Sequence, residues 1–202
     1  MPDNRALLRA RMSVERSELP AKRRVEAAVG VLRSIETLPA FKTATNVAGY
    51  WAIRGELPLN LVVACLQRRG QHYFLPVLGK HRQLGFAEYA PGAALASNHF
   101  GIPEPAVPAA QLRTPRDMQV ILLPLLAFDR TGCRLGFGGG WYDTSLAFLL
   151  AARRPASPLL VGVGYSFQDA GAIAAESWDV PLDYVATDEA LITCKPRAAA
   201  HV

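Results

Sequence analysis

Long apolar runs are missing from this chain. None approaches the roughly 18 residues needed to span a bilayer, so no membrane span or membrane partner is expected. The first residues carry arginines but no apolar stretch leading to a cleavage site, so no secretory signal is expected either. Cysteine is scarce. Cys65, Cys133 and Cys194 are odd in number, far apart, and form no Cys-x-x-Cys pair. That argues against a zinc site and a disulfide framework, and it fits a reducing cytoplasm. The histidines, His72, His81, His99 and His201, are scattered without ligand spacing. No Ser-His-Asp or Cys-His set is evident, so covalent catalysis by a side chain is not indicated.

What is present is a globular composition. Half of the 202 residues are hydrophobic, enough for one domain with a sizeable core. Basic residues outnumber acidic ones, 22 to 17, for a net charge of +5. Much of the excess lies early, in Arg5, Arg9, Arg11, Arg16, Lys22, Arg23, Arg24 and Arg33. Such a surplus suits a phosphate-rich or polycarboxylate ligand. The basic segment lacks interleaved aromatics for base stacking, so nucleic acid is not the expected partner.

Apolar periodicity predicts a first helix over residues 4–16, with Asp3 as its cap, and a second running to about Thr37. In the second, Val25, Ala28, Val29, Leu32 and Ile35 would share the buried face. Asn46 to Ile53 reads as a strand. Pro58 opens a helix with Leu61, Ala64 and Cys65 at helical spacing, and Gly70 ends it. Further strands are expected at Tyr73–Val77, Leu84–Tyr89, Val120–Leu123, Leu159–Val163 and Tyr184–Ala186. Helices are expected from about Tyr142 to Arg153 and around Ala170 to Glu176. Residues 90–118 read as one long surface loop, and the tail after Lys195 as frayed. Alternating strands and helices imply an α/β fold: one domain over residues 1–195, with a mostly parallel, Rossmann-like sheet and helices on both faces.

The most informative segment is Arg134-Leu-Gly-Phe-Gly-Gly-Gly-Trp-Tyr-Asp143, between a strand and a helical pattern in which Leu146, Leu149 and Leu150 share a face. A glycine-rich strand-to-helix turn can bring bare backbone N–H groups to a phosphate. It is neither Gly-x-Gly-x-x-Gly nor a Walker A loop, since it has no lysine. On the glycines alone, a tight connection with no ligand is an equal alternative. The flanks favour a ligand. Arg134 offers a bidentate cation, and Asp143, besides serving as a helix cap, is a residue type that Mg²⁺ prefers. Trp51, Phe137 and Tyr142 offer ring faces. Asp129 reads as a turn residue ahead of Gly132, and Glu104, between two prolines, as part of a rigid loop.

The segment Leu123-Pro-Leu-Leu-Ala-Phe-Asp-Arg-Thr-Gly-Cys-Arg-Leu-Gly-Phe-Gly-Gly-Gly-Trp-Tyr-Asp143 resembles the signature of the 5-formyltetrahydrofolate cyclo-ligase family. The likeness extends to Arg5-Ala-Leu-Leu-Arg9, Tyr50-Trp-Ala-Ile-Arg-Gly-Glu56, Gly101-Ile-Pro-Glu-Pro105 and Trp178-Asp-Val-Pro-Leu-Asp183. The resemblance implies an enzyme that uses ATP and Mg²⁺ to close 5-formyltetrahydrofolate, including its polyglutamates, into 5,10-methenyltetrahydrofolate. ADP and phosphate would leave, and an iminium phosphate would be the intermediate. It further implies a cytoplasmic protein, expected as a monomer.

Carried over by position, Arg5 and Arg9 would contact ATP phosphates. Arg134, Leu135, Gly136, Phe137, Gly138, Gly139, Gly140, Trp141 and Tyr142 would form the nucleotide segment, shared from Phe137 onward with the folate. Trp51 and Glu56 would contact the folate, and Asp143 and Asp179 the metal. Arg134, Tyr142 and Asp143 would be catalytic. Four positions depart from the family pattern. Arg5 stands for the usual lysine, Trp141 for tyrosine or phenylalanine, Trp178 for a common histidine and Thr144 for a common arginine.

Overall fold

The computed structural model describes residues 4–195, so the expected Asp3 cap and the tail after Lys195 lie outside the described residues. The chain begins with α1 (Asn4–Ser17), α2 (Ala21–Glu36) and α3 (Pro39–Thr43), then enters β1 (Asn46–Ala48). It continues through α4 (Asn60–Arg68), β2 (His72–Leu78), β3 (Leu84–Glu88), and a small hairpin of β4 (Leu95–Ser97) and β5 (Pro103–Pro105). Next come β6 (Val120–Pro124), a two-stranded ribbon of β7 (Ala127–Phe128) and β8 (Arg134–Leu135), and α5 (Trp141–Leu146). β9 (Leu159–Val163), β10 (Tyr184–Ala186) and β11 (Leu191–Thr193) complete the fold.

The main sheet has the order β11-β10-β9-β6-β1-β2-β3. The five inner strands are parallel, and β3 and β11 add antiparallel edges. The continuous apolar runs are explained by burial on both faces. In β6, Val120 and Leu122 point into one core while Ile121 and Leu123 point into the other. Helices α2, α3 and α4 cover the first face through Val31, Ile35, Phe41, Val62 and Leu66. The second is covered by Leu146 of α5, Leu149 just after it, and Val180 and Leu182. Helix α1 packs at one end of the sheet, where Met12 meets Leu126, Ala127 and Leu135. Among the described residues, no helix is long and apolar enough to cross a membrane.

Several expected details are corrected. The helix expected to reach Arg153 stops at Leu146 and tightens into a 3-10 turn over Ala147–Leu149, which leaves Leu150 exposed. No helix forms at 170–176; there the Ile173 N–H is bonded to the Asp129 carboxylate instead (3.0 Å). The buried face of α2 runs through Ala27, Ala28, Val31, Ser34 and Ile35, while Val25 and Val29 face solvent. Small side chains let the helix sit close to the sheet, and closeness decides the face over hydrophobicity. In α4 the buried residues are Val62, Val63, Cys65 and Leu66; the helix starts at Asn60, and Leu61 is exposed. The strand expected over Asn46–Ile53 is only three residues long. At Gly49 a Cβ would meet the Tyr73 hydroxyl at 2.2 Å. The chain then leaves the sheet, and Tyr50 donates its hydroxyl to the Leu57 carbonyl (2.7 Å). The expected loop over 90–118 contains the β4–β5 hairpin.

From β1 the chain moves to β2 and β3 on one side, then crosses back to β6 on the other side. A reversal of this kind opens a crevice at the carboxyl ends of the diverging strands.

Candidate active site

That crevice is a cavity of about 570 Å³. Its walls come from the segment after β1, the carboxyl ends of β2 and β6, the start of β3 and the β4–β5 hairpin, closed by the 134–143 loop and by α1. Gly138 and Gly140 hold φ of +91° and +69°, a region that L side chains rarely adopt. Arg5 and Arg9 sit four residues apart on α1 and therefore share a helix face. The Arg9 Nε donates to the Gly136 carbonyl (3.0 Å). Arg5 donates to the Asp179 carboxylate (2.9 Å) and to the Ala174 carbonyl (3.0 Å).

Arg134 is deeply buried and donates to Asp143 Oδ1 (2.6 Å) and to the Val180 carbonyl. The Val180 N–H also reaches Asp143 Oδ1 (3.2 Å). Thus Arg134 and Asp143 fasten the glycine loop to the segment that carries Asp179. Asp143 is the third residue of α5 and makes no side-chain cap; Gly140 occupies the cap position. The capping role open to Asp143 from sequence is therefore taken by ion pairing.

The opposite wall is built by the exit of β1. Ile53 to Glu56 forms a tight turn in which Arg54 (φ 47°) and Gly55 (φ 76°) are both left-handed. The turn buries Glu56, whose carboxylate accepts the Ile53 N–H (3.0 Å). Burial pushes the Glu56 carboxyl up to about 7, against the opposing pull of the Ile53 N–H, Arg16 and Arg54. Arg16, near the end of α1, is 1% exposed and donates to the carbonyls of Arg54 and Leu125 (both 3.1 Å). Burial lowers its pKa, and the nearby Glu56 charge offsets part of that. The Phe137 ring lies 5.3 Å from each of the Arg16 and Arg54 guanidinium carbons, a cation–π arrangement that ties the glycine loop to this wall. Trp51 meets Tyr89 edge to face at 5.9 Å. Burial also raises the Tyr142 and Tyr50 hydroxyls well above their ordinary value, so both stay protonated donors.

The two expected metal residues, Asp143 and Asp179, both line the cavity. Among the described residues, no three His, Cys, Asp or Glu side chains cluster for a metal. Protein contacts of the two aspartates use Oδ1 of Asp143 and Oδ2 of Asp179. Among the described residues, no hydrogen bond is made to the other oxygen of either carboxylate. Two carboxylates fit Mg²⁺, which takes few protein ligands and completes its shell with water and substrate phosphate.

Of the site residues expected from sequence, Arg5, Arg9, Trp51, Glu56, Arg134, Asp143, Asp179 and every residue from Gly136 to Tyr142 line this one cavity. Leu135 does not. It is fully buried against Met12 and Leu126 and serves the core. The sequence reading missed Arg54, Asn98, Phe100, Ile102 and Trp178, which also line the cavity. Asn98 and Phe100 lie in a hairpin tip that no periodicity announces; Gly101, left-handed there, opens the motif that was visible in the sequence. Glu104, expected in a rigid loop, lies in β5 and lines the cavity as well, accepting the Leu78 N–H (3.1 Å) and the Asn98 amide (2.7 Å). Asp129 is a turn hub, bonded to Thr131, Cys133 and Ile173.

Comparison with known proteins identifies the family and the fold. A family model described as the 5-formyltetrahydrofolate cyclo-ligase family matches residues 2–188. A 5-formyltetrahydrofolate cyclo-ligase of Haemophilus influenzae is 32% identical over 181 residues, spanning 88% of this chain and 94% of the relative. That of Escherichia coli K12 is 33% identical over 153 residues, spanning 75% and 82%. The NMR structure of Aquifex aeolicus 5,10-methenyltetrahydrofolate synthetase superposes with a TM-score of 0.78 at 29% identity, covering 98% of this chain and 96% of that one. A synthetase of the same name from Mycoplasma pneumoniae shares the fold, with a TM-score of 0.71 at 22% identity over 93% and 100% of the two chains.

Proposed function

Because the chain belongs to the 5-formyltetrahydrofolate cyclo-ligase family, we propose that it converts 5-formyltetrahydrofolate to 5,10-methenyltetrahydrofolate with ATP and Mg²⁺, releasing ADP and phosphate. It would act as a single-domain monomer in the cytoplasm, on folates with one or more glutamates. The observation that carries this reading is the convergence of α1, the exit of β1, the glycine loop and Asp179 on one cavity at the sheet's switch point.

A formamide oxygen is a poor leaving group. Transfer of the γ-phosphoryl of ATP to that oxygen forms the new O–P bond as the β–γ bond breaks, and ADP leaves with the electron pair. The product is an iminium phosphate. Nitrogen 10 of the folate then attacks the formyl carbon, phosphate departs with the C–O electron pair, and the N10 proton is released as the ring closes. Such a sequence needs positioning and charge neutralisation more than a protein nucleophile. Arg5 and Arg9 would hold the nucleotide phosphates, along with the backbone from Gly136 to Gly140. Trp51 and Glu56 would hold the pterin, Glu56 as a hydrogen-bond acceptor. Arg134 would hold Asp143 in place through their ion pair, and the Tyr142 hydroxyl would donate to the reacting oxygen. Asp143 and Asp179 would hold Mg²⁺, which when bound supplies positive charge to the transferring phosphoryl group.

The test is direct. Mixing protein, ATP, Mg²⁺ and 5-formyltetrahydrofolate should produce the absorbance of the conjugated methenyl product. A flat trace from folded protein would sink the proposal.

A further inference from the structure

The β2–β3 turn carries a second charged feature beside the cavity. Leu78 and Leu84, which flank the turn, both line the cavity. Between them lie Lys80, His81 and Arg82, all exposed. His81 and Arg82 hold φ of 54° and 58°, left-handed conformations that cost free energy for residues with a Cβ. A turn free to choose its residues would place glycine, asparagine or aspartate there. Here it holds a histidine and an arginine instead, with Lys80 just before them. Among the described residues none of the three forms an ion pair.

The turn is also fixed to the glycine loop. Ser145 of α5 accepts the Leu84 N–H (2.8 Å) and sits 3.4 Å from the Arg82 carbonyl. An Arg82 Nη1 lies 3.8 Å from where a Cβ on Gly140 would stand. Arg82 is therefore held beside the glycine loop, with Lys80 two residues before it in the same turn. We propose that Lys80 and Arg82 form a carboxylate-binding site for the glutamyl tail of the folate, reached as the substrate runs from Trp51 and Glu56 past Leu78 and Leu84 to the surface. This rests on the folate reading above. A glutamate tail ends in at least two carboxylates and gains one with each further residue. Exposed cations at the mouth suit a partner of variable length, because each contact is independent and weak.

The nucleotide's phosphates are another anion that the turn could serve, and the experiment separates the two. KM is measured for ATP and for 5-formyltetrahydrofolate bearing one and three glutamates, with wild type and the double variant Lys80→Gln/Arg82→Gln. In wild type the triglutamate should have the lower KM. The variant should raise the triglutamate KM about three- to tenfold, lose most of the tail-length effect, and leave the ATP KM unchanged. Added salt should erode the effect in wild type but not in the variant. An active variant with an unaltered tail-length effect overturns the tail site while leaving the enzyme assignment standing. A selective rise in the ATP KM overturns it in favour of phosphate. No turnover by folded wild type removes both readings. Binding of p-aminobenzoyl-triglutamate, which lacks the pterin, gives a readout without catalysis: equal affinity for wild type and variant refutes the proposal.

Discussion

At the residue scale, Glu56 is the most consequential side chain. Its carboxyl is raised to about 7 by burial, so the native protein holds a proton that the unfolded chain, near 4.5, has lost. Between those values the native state binds more protons than the unfolded state, and stability falls as pH rises. Above 7 the cost is on the order of 3 kcal/mol. Glu56→Gln keeps an oxygen acceptor for the Ile53 N–H and removes the charge. It should stabilise the protein at pH 8 by up to that amount, match wild type near pH 4, and lose folate affinity at every pH. Chemical denaturation at the two pH values checks the first part; an equal gain at both would refute it. Glu56 was visible in the sequence through the motif around it. Arg16 was not. It appeared only as one cation among many, because its partners lie 38 and 109 residues away.

At the element scale, the short α5 explains why the glycine loop was legible and the helix after it was not. The loop declares itself through four glycines between two charged residues. The length of the helix is set by tertiary packing. Leu146 and Leu149 fill the second core by switching to a tighter turn, a choice that local periodicity does not encode. Asp143, inside the first turn, is pinned by Arg134 and Val180 and does not cap. Asp143→Asn should therefore fold like wild type but lose activity on the order of 100-fold. Asp143→Ala leaves the buried Arg134 short of a partner and should lose about 2 kcal/mol of stability as well. Thermal melts beside the absorbance assay separate these effects. An Asp143→Asn variant with full activity would remove Asp143 from the metal site.

At the scale of the whole molecule, the strands were readable because both faces of the sheet are dry. An apolar run at Val120 or Leu159 needs no partner in the sequence to be recognised. The order of the strands, and hence the crevice, was not written in any one segment. Docking of α2 was misread for a related reason, since its buried stripe is defined by what it approaches. A Cβ on Gly30 would stand 2.1 Å from the Asp188 carbonyl in the β10–β11 turn. Gly30→Ala must push the helix off that end of the sheet and should lose about 3 kcal/mol, measurable by urea denaturation. Stability near wild type would mean that the helix can slide without loss. One feature of the cavity reaches beyond its chemistry. Trp51, Trp141 and Trp178 are all the tryptophans that the chain has, and all three line it. The protein's indole emission is therefore a built-in gauge of what occupies the crevice. Titrating nucleotide and folate in either order, with no label attached, would reveal which one must enter first.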